Sequence, residues 1–205
     1  MSAMASRLAS GVEAEFPPAD FARWMTAEQP RIFLLCCRML QDPEEAGSAT
    51  QDAFLKAYRA LNRDGARQVD DPAKWVTRIA VNTCLDRLRS RSWKLWKRRS
   101  SSKNEATILA MTPASSPAAD DLVFAGEIAE RLAEALQQLS PRQRTVFLLK
   151  HFEDRRLDEI AEILELDLGT VKAHMSRALA KMRDLLRDLY RARPAAAAVE
   201  VSDNV

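Results

Sequence analysis

The sequence predicts an all-α chain made of two small helical domains joined by a flexible linker. Three observations predict it. Only 5 glycines occur in 205 residues, and Ala, Leu, Arg and Glu dominate, which is the composition of helices rather than of sheets with tight turns. Apolar residues recur at helical spacing through two long blocks. Between the blocks lies a Ser-, Ala- and Pro-rich stretch that can bury little apolar surface.

The boundaries follow from composition. Residues 1–20 carry no sustained period, contain Pro17-Pro18 and read as a disordered tail. Residues 21–98 form the first helical domain. Residues 99–121, with Ser100-Ser101-Ser102, Pro113 and Ser115-Ser116-Pro117, are the linker. Residues 122–193 form the second domain. Residues 194–205, opening with Pro194 and an alanine run, are a second disordered tail.

Within the first domain, Pro30 marks a helix start, and Ile32, Phe33, Leu35, Cys36, Met39 and Leu40 follow at helical spacing. Asp42-Pro43-Glu44-Glu45 is a start signal. It offers a capping carboxylate, proline in the first turn and acids on the positive helix end. The helix it opens turns Ala46, Ala49, Ala53, Phe54, Ala57, Tyr58 and Leu61 inward, and reaches about Leu61. Its other face carries Glu45, Ser48, Gln51 and Asp52. Gly47 weakens it by roughly 1 kcal/mol relative to alanine. After a loop over 62–71, Asp71-Pro72 repeats the start signal. Trp75, Val76, Ile79, Ala80, Cys84, Leu85 and Leu88 then form one stripe, beside a polar face of Arg78, Asn82, Asp86 and Arg89.

In the second domain, Ile128, Leu132 and Leu136 mark a helix over 122–139. Ser140-Pro141-Arg142-Gln143 reads as a capping box with proline at the first helical position. Residues 157–164 form a short helix, Glu165-Leu166 a turn, and Asp167 the cap of a last helix. That helix turns Val171, Met175, Ala178, Leu179, Met182 and Leu186 inward. Ala161 and Val171, ten residues apart across the turn, suit a helix-turn-helix; a plain helical hairpin with a solvated basic face has the same pattern. The last helix is cationic through Lys172, Arg177, Lys181, Arg183, Arg187, Arg191 and Arg193. The helix before it is acidic through Asp158, Glu159 and Glu162. Such a pair turns its basic side toward phosphate.

A second basic signal is RLRSRSWKLWKRRSSSK over 87–103, with no acid and two tryptophans, Trp93 and Trp96. Those rings either stack on unpaired bases or pack against the helices.

Composition also excludes classes. The longest apolar runs fall short of the roughly 18–20 residues of a membrane span. The first twenty residues lack the apolar core of a secretory signal. Cys36, Cys37 and Cys84 make no disulfide framework, so a reduced, cytoplasmic protein is expected. His151 and His174 stand on different helices without metal-ligand spacing, and no phosphate-cradling glycine loop is present. The chain is therefore not expected to be an enzyme or to carry a cofactor. A dimeric duplex-binding regulator and a helical protein-interaction module each account for part of the pattern, but the regulator leaves the 42–98 block without a use.

Three stretches, in order, resemble extracytoplasmic-function sigma factors of the sigma-70 family. They are DPEEAGSATQDAFLKAYR over 42–59, WVTRIAVNTCLDRLRSR over 75–91, and LSPRQRTVFLL with LDEIAEILELDLGTVKAHMSRALAKMRDLL in the second domain. The resemblance covers about residues 24 to 190. It implies a promoter-specificity subunit with a region 2 domain and a region 4 domain. Glu45, Gln51, Asp52 and Phe54 would dock on the clamp coiled coil of core RNA polymerase. Asn82 would read a flipped non-template base at the −10 element, with Arg78, Asp86, Arg87, Arg89 and Arg91 around the strand. Asp86 either orients a neighbour or is an ordinary helical partner. Gly169, Thr170, Lys172, Ser176 and Arg177 would face the −35 duplex. Arg142 and Arg144 would meet phosphates or the polymerase flap. Family members often place glycine where this chain has Glu165, which must then take a left-handed turn conformation. The family also implies an anti-sigma partner and action at the nucleoid.

Overall fold

The computed structural model describes residues 18–63, 69–90 and 119–187, with side chains over 21–62, 69–90 and 128–187. Among the described residues there are helices and no strands. The helices are α1 Pro18–Leu40, α2 Pro43–Arg63, α3 Pro72–Arg89, α4 Ala119–Gln138, α5 Pro141–His151, α6 Leu157–Leu164 and α7 Leu168–Leu185. Arg91, Trp93, Trp96, Arg191, Arg193, most of the expected linker and nearly all of both expected tails lie outside the described residues.

Helix α1 begins earlier than Pro30 implies, because Pro30 lies inside it. Proline lacks the N–H that would bond the carbonyl four residues back. Pro30 is exposed, so water reaches that carbonyl. The first half of α1 is held instead by aromatic packing. Phe21 lies 5.4 Å from both Trp24 and Tyr58, and Trp24 meets Phe54 edge-on at 5.9 Å.

The cap signals hold. Asp42 Oδ1 accepts from Glu45 N at 2.7 Å, and Asp71 Oδ1 from Lys74 N at 2.8 Å. Ser140 and Gln143 complete the reciprocal box, and Asp167 Oδ1 accepts from Thr170 N at 2.7 Å. The α2 stripe of Ala46, Ala49, Ala53 and Ala57 is fully buried, which lets α1 and α3 pack closely on it. Three residues expected inward stay largely exposed: Tyr58, Ile128 and Leu179. On α4, Leu136 is fully buried and Leu132 packs against the core as expected, while Ala129, Ala133 and Ala135 share the buried side in place of Ile128.

A Cβ built on Gly47 meets nothing within 4 Å. Gly47→Ala therefore keeps every contact and removes backbone freedom from the unfolded chain. We expect a stabilisation of about 0.4–1 kcal/mol in urea denaturation.

Candidate nucleic-acid and polymerase interface

On α2, Gln51 and Asp52 are exposed, whereas Phe54 is buried and serves the core. Gln51 stands on the rim of an apolar groove of about 310 Å³, lined by Phe21, Met25, Phe54, Leu55 and Tyr58. Leu55 and Tyr58 remain 45% and 43% exposed, so the groove is an uncovered apolar surface beside an acidic one. Sequence reasoning missed Tyr58 as a surface residue. The i, i+4, i+7 spacing of Gln51, Leu55 and Tyr58 was the available signal.

Glu45, Ser48 and Asp52 project from α2 at successive turns onto one guanidinium. Arg87 Nη1 donates to Glu45 Oε2 at 2.5 Å, and Nη2 donates to Ser48 Oγ at 2.9 Å and Asp52 Oδ2 at 2.6 Å. These carboxylates raise the Arg87 pKa further, against the opposing effect of burial. Arg87 thus ties α3 to α2 and is engaged on the protein side.

The polar face of α3 is where the sequence puts it. Asn82, Asp86 and Arg89 are exposed, and Arg89 lies 3.8 Å from Asp86. Arg78 pairs with Glu165. Asn82 lines a cavity of about 570 Å³ together with Trp75, Ile79, Leu61, Val69, Lys74 and Arg78. Trp75 and Ile79 were expected in the core; they are half-buried because they wall this cavity. An exposed amide beside apolar and aromatic walls with a cationic rim can hold an unstacked base and read its edge.

In the second domain the turn between α6 and α7 takes the expected form. Glu165 is left-handed (φ 52°), and Leu166 N donates to Ala161 O at 3.0 Å. Val171 is fully buried and Ala161 nearly so, consistent with a helix-turn-helix. Gly169 has a local reason: a Cβ there would meet the capping Asp167 Oδ1 at 3.0 Å. The Thr170 hydroxyl donates to Asp167 Oδ2 at 2.5 Å, and Thr170's bonds hold the Asp167 carboxyl below its ordinary 3.8. Lys172, Ser176 and Arg177 are exposed along α7. Burial, then Arg177 and Arg142, lowers the His174 pKa, so its ring is neutral at neutral pH.

Arg144 departs from the expectation that it meets phosphate or polymerase. It is 3% exposed, and its donors reach Leu136 O at 2.8 Å, Met39 O at 2.6 Å and Gln137 O at 3.1 Å. Arg142 is half-buried near Arg89, with its pKa lowered by burial and by that charge.

Two family models match in chain order: Sigma-70 region 2 over residues 24–94 and Sigma-70, region 4 over 129–182. The chain belongs to the sigma-70 family. It is 31% identical to the ECF RNA polymerase sigma factor SigW of Bacillus subtilis, over 82% of this chain and 90% of that one. It is 30% identical to the RNA polymerase sigma-H factor of Pseudomonas aeruginosa, over 80% and 84% of the two chains. Its fold is similar to that of RpoE from Bartonella quintana, solved in complex with the anti-sigma factor NepR. That likeness has a TM-score of 0.58 and 22% identity, and covers 82% of this chain and 97% of the other. The protein is thus an ECF-type sigma factor, which binds core RNA polymerase and promoter DNA to initiate transcription. Among the described residues no helix is long and apolar enough to cross a membrane.

The Arg87 brace makes a stability prediction. Arg87→Met leaves Glu45 and Asp52 side by side without their cation. A loss of about 1–3 kcal/mol in urea denaturation is expected for bonds to a charged group. Arg87→Lys should recover only part of it, because an ammonium lacks the fork that spans three partners.

Proposed function

We propose that the two domains divide promoter recognition between the faces described above. Asn82 captures a flipped non-template base at −10, with Trp75 and Ile79 as the apolar wall of its cavity. Arg78, Asp86, Arg89 and Arg91 guide the strand past it. Arg87 contributes by holding α3 against α2 as well as through its charge. Gln51 and Asp52, with Glu45 behind them and Phe54 supporting the groove, form the docking surface for the clamp coiled coil. Leu55 and Tyr58 extend that surface. Lys172, Ser176 and Arg177 face the −35 duplex, and Gly169 and Thr170 shape the start of the helix that presents them. Arg142 remains the residue for the flap. The chain acts in the cytoplasm at the nucleoid, as an initiation factor rather than a catalyst. By its likeness in fold to RpoE, which was solved with an anti-sigma factor, we place it under anti-sigma control as well.

The observation that carries this reading is the exposed Asn82 amide at a cavity with aromatic and apolar walls and a cationic rim. No core function calls for that combination. Capture of bases there would drive melting, and the duplex contact on α7 would supply the second, weaker hold.

Initiation by the chain on core RNA polymerase tests it. Asn82→Ala should leave core binding intact and lower open-complex formation by about 10- to 100-fold, the scale of one base readout. Lys172→Ala should weaken promoter binding and reduce the magnitude of its log–log salt slope by about 1. Unchanged open-complex formation in Asn82→Ala would overturn the assignment.

A further inference from the structure

The core of the first domain holds a pair of thiols that promoter recognition leaves unused. Cys36 on α1 and Cys84 on α3 are fully buried, and their side chains are hydrogen-bonded to each other where the two helices touch. The Thr50 hydroxyl of α2 also bonds to Cys36. The pair therefore lies where α1, α2 and α3 meet. Leu35, Val81 and Leu85, next to these cysteines along their helices, are buried as well, so the helices cannot shift there without repacking.

The two thiols differ in character. Burial pushes a thiol up, as it does Cys37, to about 12. Cys36 goes the other way. The hydrogen bond from Cys84, then the Thr50 bond and the Arg87 charge, hold it below its ordinary 9.0 against the effect of burial. Cys84 is pushed up by the same bond and by burial. Cys36 is thus the readier thiolate and Cys84 the thiol that faces it, the division between an attacking and a resolving cysteine.

We propose that Cys36 and Cys84 are a site of reversible oxidation by hydrogen peroxide, forming a disulfide that ties α1 to α3 and lowers promoter opening. The effect on opening rests on the sigma-factor reading; the disulfide does not. Peroxide is little larger than water and reaches a packed core through local opening. The Cys36 thiolate attacks one peroxide oxygen and the O–O bond breaks. The sulfur becomes a sulfenic acid, and the departing hydroxide takes up the proton that Cys36 gave up, leaving as water. Cys84 then attacks the Cys36 sulfur. The S–S bond forms, the S–O bond breaks, and hydroxide leaves with the Cys84 proton as a second water. Two thiols lose two electrons and one peroxide gains them. A reducing cytoplasm returns the pair to thiols once peroxide is gone.

The consequence follows from what else α3 carries. A disulfide sets its sulfurs about 2.05 Å apart, well inside any thiol hydrogen bond, so oxidation draws α3 onto α1. Asn82 stands two positions before Cys84, and Arg87 three after it. Arg87 and Thr83 bind the same stretch to α2, through Glu45, Asp52 and Lys56. A helix held on one side and pulled on the other moves its exposed face, and that face bears the amide at the base-capture cavity.

The test treats the reduced full chain with hydrogen peroxide, removes the excess with catalase and blocks free thiols. One portion goes to non-reducing peptide mapping by mass spectrometry. The other is assembled with untreated core RNA polymerase, and open-complex formation is measured. Wild type and Cys37→Ala should both form the Cys36–Cys84 link, the variant fixing which of the adjacent cysteines takes part. Both should lose open-complex formation by about fivefold or more, the lower end of one base readout, and dithiothreitol should restore it. Cys84→Ala should initiate equally with and without peroxide. Should that variant fail to fold, the wild-type map and the dithiothreitol reversal decide. Free thiols at Cys36 and Cys84 after peroxide overturn the proposal. A Cys36–Cys84 link that leaves initiation unchanged overturns it too, as does an equal loss in Cys84→Ala. Failure of the untreated chain to initiate on core polymerase would overturn the sigma-factor reading instead, and the peptide map is read independently of it.

Discussion

The Arg144 guanidinium lies between the last turns of two helices from different domains. It donates to Met39 O at the end of α1 and to Leu136 O and Gln137 O at the end of α4. The last carbonyls of a helix have no donor of their own and carry the negative end of its dipole. One planar cation answers both helices. Burial lowers its pKa to about 10, so it stays charged at neutral pH. Lys181 supplies Gln138 O in the same turn of α4. The position of α5 relative to both domains follows from this contact, and with it the position of α6 over α3.

A division of labour among arginines follows. Arg144 and Arg87 point into the protein and join helices: one unites the domains, the other locks α2 to α3. Arg78, Arg89 and Arg177 stay more exposed and hold their charge near the surface. Net charge is only +2, so the chain does not attract nucleic acid as a whole. Its cations are placed, and in the free chain several are already matched by its own acids. Selectivity for promoter DNA within a holoenzyme, rather than for any DNA, is the natural outcome of that balance.

Local signals were legible because local physics makes them. Asp71-Pro72, Ser140-Pro141 and Asp167 cap helices through bonds to residues three positions on, so the sequence within one turn decides them. Glu165 in a left-handed conformation followed from the resemblance, since family members often carry glycine at that position. Pro30 misled, because aromatic packing of Phe21 and Trp24 against Tyr58 and Phe54 outweighs one missing backbone bond. Arg144 misled for the opposite reason. Its partner Met39 stands 105 residues away, and a basic residue in the first turn of a helix looks like a surface residue until the helix end it caps is known. The polar residues of the site were readable on their helices, but the whole cavity was not, since its walls come from α2, residues 69–71, α3 and α6.

Site-specific photocrosslinking in the promoter complex tests the central claim most directly. A photoreactive residue is placed at position 82 or position 172 of the chain, assembled with core RNA polymerase on one promoter, and the crosslinked bases are mapped. Position 82 should crosslink to the non-template strand at −10 and position 172 to duplex at −35, both dependent on core polymerase. Crosslinks from both positions to a single duplex site without polymerase would contradict the account.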